Sequence, residues 1–567
     1  MRHRVYWTVV HGLFWLVCGA MWGQPTTIKL DKAFPSAGSR APLVFSSGET
    51  VTVNLVTTNT GPPIVNSLSQ AGAHLTPSPT LTFTGDTQTP SLDGGFTYKP
   101  PDTHHAVGTG AGAAGRVVHV TNRKIEIFNK SGTSVAGPTD LDAFLTALGA
   151  SGLTGSGVAN LGFDPKVIFD QHSGRFFVVI LDGRTPGGGG RSNVHICTSI
   201  SATPGSLTTT DWTVESDSAL TTFTGGDSWF DYPGIGADST RLVVTGNMFT
   251  AGGAFVGTKI RVFLKSSLTD NGAPAGATFN DIDIDSAVTS GCFTMQPAHV
   301  FGSTLNGDFY LIARSSSGAY RLAQITGAGG SASLVAGSPS SHAWTAGAQI
   351  TDGAPQIDEG NNLTQATIST LSSRIQNAVY RNDAGNADSI WLAMATDMDS
   401  DSRTEVTWFE IDPNSTDSAV AGTITTPSIT QSGFIDGSGA TGWAYMPSIC
   451  VNTSGDALIC YSDSDSSKAV DMMVTAQFVS DTPGTFQTPV VVASGAGEYD
   501  DFNADDPERW GDYSGCTVDP DDDETFWVSN EICQTAVTAA GNDADWGTRI
   551  SMLGAVTPVQ LQSISVE

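Results

Sequence analysis

Basic residues are scarce in this 567-residue chain. It has 26 Lys and Arg against 56 Asp and Glu, a net charge of −30. A surface this acidic repels phosphate backbones and anionic lipid, so nucleic-acid binding is excluded as a function class. Charged residues of either sign reach only 14%, and the Ala-, Leu-, Glu- and Lys-rich stretches that build long helices are missing. No apolar run after residue 23 approaches the ~20 residues that span a bilayer. G-x-S-x-G, H-E-x-x-H and phosphate-loop motifs are absent, so no familiar nucleophile, zinc-protease or nucleotide signature is present. No C-x-x-C or His/Cys cluster points to zinc, and His104–His105 alone is too little for a metal.

What is plentiful is Gly (64 residues), with Ser, Thr and Asp. That mixture suits many short strands joined by polar turns, and 39% hydrophobic residues supply a core. The first 23 residues read as a cleaved signal: Arg2 and Arg4, an apolar run from Val5 to Val17, then small residues at Gly19, Ala20 and Gly23. Export is therefore expected, to a secreted or cell-surface location. Removing this segment leaves 24 basic and 56 acidic residues, a charge of about −32. Beyond Cys18 there are six cysteines, an even number that suits disulfides in an exported chain. Of the fifteen pairings, Cys450–Cys460 is the favoured one, because the two are symmetric about a turn at Thr453–Asp456.

One pattern returns along the chain: a short strand, a polar turn, then a strongly apolar strand. Copies begin at Ala106, Pro165, Pro233, Pro297, Ala378, Pro447 and Ser514, with intervals of 59, 68, 64, 81, 69 and 67 residues. Each interval leaves room for a second strand pair, visible as TKIRVFLK (258–265), EVTWFEID (405–412) and MMVTAQFV (472–479). Four strands per period, repeated radially, predict an all-β, seven-bladed β-propeller. The expected division is 1–23 signal, 24–105 a β-rich N-terminal segment or cap, and 106–567 the propeller. A strand from either end of the chain could close the ring and remove its open edges.

Two copies share W-x-D-Y-[PS]-G-x-x-x-D, at Trp229 and at Trp510; a third, from Trp443, keeps the aromatics but loses the acid. If these residues precede innermost strands, Trp229, Asp231, Tyr232, Tyr445, Arg509, Trp510, Asp512 and Tyr513 converge on one mouth of the central channel as a ligand-binding set. Carboxylates beside rings suit sugars, and oxygens suit calcium. The competing reading is structural, with the acids capping turns and the tryptophans packing between blades. Arg509 could hold a ligand carboxylate, or pair with Asp512 or Glu508. Two acid loops are compatible with calcium, one at Asp397, Asp399 and Asp401 before Glu405, the other at Asp519 and Asp521. The first opens like an EF-hand loop, but carries Ser402 at the sixth position and Trp408 at the twelfth. SLDGGFTY (91–98) matches the Asp-box turn S-x-D-x-G-x-T-W, with Tyr98 replacing Trp.

PPDTHHAVG (100–108), FDPKVIFDQHSGRFFVV (163–179), DYPGIGAD (231–238) with VTGNMF (244–249), and RWGDYSGCTVDPDDDETFWVSNE (509–531) with WGTRI (546–550) carry a resemblance. They resemble a group of exported bacterial proteins described as sialidase-like, or BNR-repeat-like, propellers. The resemblance implies a propeller and export, but no activity. Sialidases place three arginines, a Tyr–Glu pair and an Asp around their substrate. Arg175, Arg241, Arg314, Arg381 and Arg509 lie near the repeated hairpins, with no spacing that shows convergence.

The function expected from sequence is a non-catalytic glycan- or protein-binding protein that uses the channel mouth. The alternatives are a glycoside hydrolase or lyase acting on extracellular polysaccharide, and a structural component of an outer layer. An enzyme requires a carboxyl with its pKa pushed up beside a second acid. A binder requires a shallow, aromatic-lined mouth.

Overall fold

Strand-forming sequence dominates the molecule, and it folds into a succession of antiparallel sheets. The computed structural model describes residues 75–88, 99–153, 162–187, 190–270, 276–302, 307–315, 319–344, 347–348, 350, 352–358, 366–382, 388–414, 426–500, 507–535 and 545–554, with two short strands nearer the N-terminus. Those two, Thr27–Leu30 and Val53–Val56, pair antiparallel in a unit of their own. The expected signal and the turn at 91–98 lie outside the described residues. No helix among the described residues is long and apolar enough to cross a membrane.

Within residues 75–555 each sheet runs outward from a first strand to its sequence neighbours. The first strands are His104–Val107, Gly162–Asp170, Gly226–Ala237, Gln296–Gly302, Ile375–Asn382, Trp443–Val451 and Gly515–Val518. Each packs against the next, and Gly515–Val518 returns to pack on His104–Val107. The fourth and fifth sheets are also joined by a parallel pairing of Ala298–Gly302 with Ala378–Asn382. The second strands read as near-continuous apolar runs, such as Phe176–Leu181, because both faces are covered by neighbouring sheets.

The shared motif explains part of this packing. A Cβ on Gly234 would lie 2.6 Å from Pro297 Cδ in the next sheet. One on Gly515 would lie 2.6 Å from His105 Nδ1. Glycine is needed at both places because first strands approach closely there. The motif's last acid closes a turn: Asp238 accepts the backbone N–H groups of Thr240 and Arg241.

The last sheet is completed from the other end of the chain. Pro79–Thr87 pairs antiparallel with Asp545–Leu553 and becomes its outermost strand. Leu81 and Phe83 pack over Val107, Val117, Phe128, Trp527 and Ile550, which come from the first and last sheets. The disulfide differs from expectation. Cys450 bonds to Cys516 and links the sixth sheet to the seventh, while Cys460 is a buried free thiol. Across the hairpin Cys450 faces Leu458, and Cys460 faces Ser448. Symmetry about the turn therefore did not make the two cysteines partners.

Candidate functional site

A backbone feature recurs where the first strands begin. Asp102, Asp164, Tyr232, Thr294 and Met446 all have left-handed φ, between 47° and 55°. In the second, third and sixth sheets this residue sits at a bulge in the first strand. A non-glycine residue held there costs on the order of 1–3 kcal/mol, and such residues concentrate at functional sites. Asp tolerates the left-handed region, and Pro165, Pro233 and Pro447 bias their predecessors away from the right-handed helix.

These kinks bring together residues distant in sequence. The rings of Tyr232 and Tyr513 meet edge to face, 4.8 Å between centroids. The Tyr232 hydroxyl donates to the Asp512 carbonyl (2.9 Å) and the Tyr513 hydroxyl to Asp164 Oδ2 (3.3 Å). The Asp512 N–H donates to Asp102 Oδ1 at 2.8 Å, and the Gly511 N–H to Glu531 Oε1 at 2.6 Å. Lys166 Nζ sits 4.1 Å from the Tyr513 ring centre. Arg374 lies 4.5 Å over Tyr232 and 5.1 Å over Phe293. The two W-x-D-Y segments therefore meet in one cluster.

The floor of this cluster is buried: Asp102, Asp164, Lys166, Tyr232, Asp512, Tyr513 and Glu531. Its edge is open. Trp229, Asp231, Phe293 and Arg374 are half-buried, Arg184 is exposed, and the Arg509 side chain is 44% exposed. Arg184 stacks 4.0 Å from the Phe163 ring centre. Arg509 forms an ion pair with Asp512. Beside it, Ile368 is bridged to Glu508 and Gln356 donates to the Tyr499 carbonyl.

Crowding of acids sets the electrostatics. Burial, then the charges of Asp512 and Asp164, raises Asp102 well above the usual carboxylate range. Asp164 and Asp231 are hydrogen-bonded to each other; burial raises both, the Asp164 charge raises Asp231 further, and the hydrogen bond from Asp231 offsets part of the rise at Asp164. Burial, then Asp512, pushes Glu531 well up. Burial lowers Lys166 to about 7 against the pull of Asp164, Asp102 and Asp512. Both tyrosines are pushed up by burial, so neither hydroxyl is activated as a nucleophile.

Not every residue marked in the sequence contributes. Trp510 is buried, donates to Ser462 Oγ and packs edge-on against Tyr499. Tyr445 is buried and bonded to Ser464. Both are packing residues. Trp229 donates to the Thr250 carbonyl and stands at the rim. Among the arginines near the hairpins, Arg241 pairs with Asp238 and Arg381 with Asp523, away from the site. Asp519 and Asp521 each lie 2.6 Å from Lys130 Nζ, so an ammonium already sits between those two carboxylates. Asp397, Asp399, Asp401 and Glu405 do gather, with one oxygen from each within 4.8 Å of the others. Asp102, Asp164, Lys166, Arg184 and Arg374 were not singled out in the sequence. The available signal was the residue at each kink, Asp102 and Asp164 aligning with Tyr232.

Beneath the cluster lies a cavity of about 50 Å³, lined by His105, Lys166, Ile235, His299, Asn377 and Thr517 among others. These come from six of the seven first strands, and the volume suits a water or two. His105 and His119 face each other across the first sheet, and burial lowers both to about 3. Their neutral forms stabilise the fold fully above the ordinary value near 6.5, and this contribution is lost as pH falls toward 3. Between pH 6.5 and 4 the melting temperature should therefore fall more steeply for wild type than for His105→Gln/His119→Gln, read by calorimetry.

No family model matches the chain, and no curated protein matches it. Solved structures do show likeness. The α-L-arabinofuranosidase of Fusarium graminearum with arabinobiose is 8% identical, covering 85% of this chain and 97% of its own, at a TM-score of 0.32. An ACO/RPE65 chimera is 9% identical, covering 72% and 73%, at 0.33. The Hadza microbial sialidase Hz136 is 11% identical, covering 77% and 74%, at 0.30. No residue is carried from them to this chain.

Proposed function

We propose that the chain is an exported seven-bladed β-propeller that hydrolyses a glycosidic bond of an extracellular glycan at the mouth of its channel. The seven first strands packed in a closed cycle support the blade number. The observation that carries the activity is the hydrogen-bonded carboxyl pair Asp164–Asp231, in which burial and the Asp164 charge hold Asp231 well above the usual carboxylate range. Among the five carboxyl residues of the cluster, Asp231 is the one that is not buried. An acid kept protonated at neutral pH beside a carboxylate is the arrangement that glycoside cleavage needs. Asp231 is the general acid, Asp164 holds its proton in place, and Asp512, ion-paired with Arg509, is the second carboxylate. Arg184, Trp229, Arg374 and Phe293 offer stacking and charged donors at the rim. Export through residues 1–23 completes the reading, with residues 79–87 and 104–105 of the expected N-terminal segment belonging to the propeller itself, and the Cys450–Cys516 bond suits an oxidising compartment.

A second reading, a non-catalytic glycan binder, is favoured by one observation: aromatic and cationic side chains, Trp229, Phe293, Arg184 and Arg374, stand together at the rim. Incubation of the purified chain with a panel of plant, bacterial and animal polysaccharides, followed by reducing-end release, tests the first reading. A glycan array tests the second. Release that is lost in Asp231→Asn supports the hydrolase. Array binding without release, weakened by Asp512→Asn, supports the binder. Neither release nor binding removes both.

A further inference from the structure

The hairpin between Ser389–Thr396 and Glu405–Asp412 carries acids at alternate positions, Asp397, Asp399 and Asp401, followed by Glu405. Thr396 is paired with Glu405 across the hairpin, so the loop returns Glu405 to the first acid. Left-handed φ at Ser400 (68°) and Ser402 (70°) coils the chain between them. Oxygens of all four acids lie within 4.8 Å of one another. Like charges at 4 Å repel by about 1 kcal/mol even in water, and by more where water is excluded. The nearby guanidinium of Arg403 meets Asp401 and the Gly442 carbonyl.

A solvated acidic turn would leave its carboxylates to water. Here Glu405 is 1% exposed and Asp397 9%. Asp397 Oδ2 accepts the Ser402 N–H and Glu405 Oε2 the Met398 N–H. The other oxygens, Asp397 Oδ1 and Glu405 Oε1, are buried with no donor among the described residues. Leaving such an oxygen unmatched costs on the order of 1–3 kcal/mol or more. Two unmatched oxygens in one four-acid group call for a cation.

We propose that this loop is a calcium site, with Asp397, Asp399, Asp401 and Glu405 supplying carboxylate oxygens and the Arg403 carbonyl a fifth ligand. Counted from Asp397, these are positions one, three, five, nine and seven, the oxygen spacing of a calcium loop. The twelfth position is not needed, because a hairpin rather than a helix follows and the chain comes back three residues sooner. Calcium, which takes six to eight oxygens in flexible geometry, fits such a loop better than the smaller, octahedral magnesium ion. Asp397 also forms a backbone bridge to Ala348.

The test uses the full chain after chelator treatment, titrated with calcium chloride in a calorimeter and melted with and without the ion. Saturable binding is expected with a dissociation constant of roughly 10⁻⁶–10⁻³ M, together with a rise in melting temperature. Asp399→Asn/Glu405→Gln should weaken binding by at least about tenfold and abolish the rise. Asp399→Asn alone, at an exposed side chain, gives a second variant that should fold and bind more weakly. Absence of heat and of any melting shift at about 5 mM calcium overturns the proposal. So does a calcium response that both variants keep in full. Neither readout depends on glycan cleavage.

Discussion

Asp231→Asn should lower hydrolysis of a responsive glycan by roughly 10²–10⁴-fold, the usual contribution of a positioned general acid. The loss should depend on the leaving group. A sugar alcohol cannot depart without a proton, whereas a nitrophenolate can, so an activated aryl glycoside should lose far less. Asparagine keeps the shape of the side chain but cannot donate a proton to the glycosidic oxygen. Asp231 already stands beside Asp164, and burial and the Asp164 charge raise its carboxyl well above the usual range. Replacing it removes one crowded acid, so the melting temperature should hold or rise slightly. An equal loss on both substrate types would make Asp231 a binding residue. A collapse of the melting temperature would make it a structural one. Either outcome defeats its assignment as the acid.

Much of the fold was legible because the hairpins repeat. EVTWFEID was marked as one strand, and Glu405–Asp412 is one strand. The W-x-D-Y motif located two corners of the site, since Tyr232 and Tyr513 touch. The rest was hidden for identifiable reasons. Asp102 and Asp164 belong to the same ring of kinks, but PPDT and FDPK do not look like WFDYPG until the left-handed residue is taken as the alignment point. Arg374 reaches Tyr232 from the end of the long interval after Pro297, and sequence distance gave no hint of that. The disulfide was missed for the same reason. Cys450 and Cys516 lie on first strands of neighbouring sheets, a relation set by packing between sheets rather than by any turn. Trp510 and Tyr445 were chosen for chemistry that a ring at a strand start can perform. Packing between sheets uses the same rings.

Removing the closing strand should have the largest effect on stability. A chain beginning at residue 89 lacks Pro79–Thr87 and exposes the edge of Asp545–Leu553, with its free N–H and C=O groups. It also uncovers the joint between first and last sheets, where Phe83 lies 5.2 Å from Phe128. Asp86 is lost as well. Its carboxylate accepts from Thr121 and Lys124 of the first sheet, and its backbone is bonded to Thr548 of the last. In a closed ring each joint is held by every other joint, so opening one weakens all of them. The truncated chain should melt at least about 10 °C lower and aggregate through the bare edge. A synthetic peptide of residues 75–88 added in trans should restore part of the loss in proportion to its concentration. That rescue separates loss of one strand from general damage. If the truncated chain melts like the full one, the first and last sheets hold together without the strand that joins them.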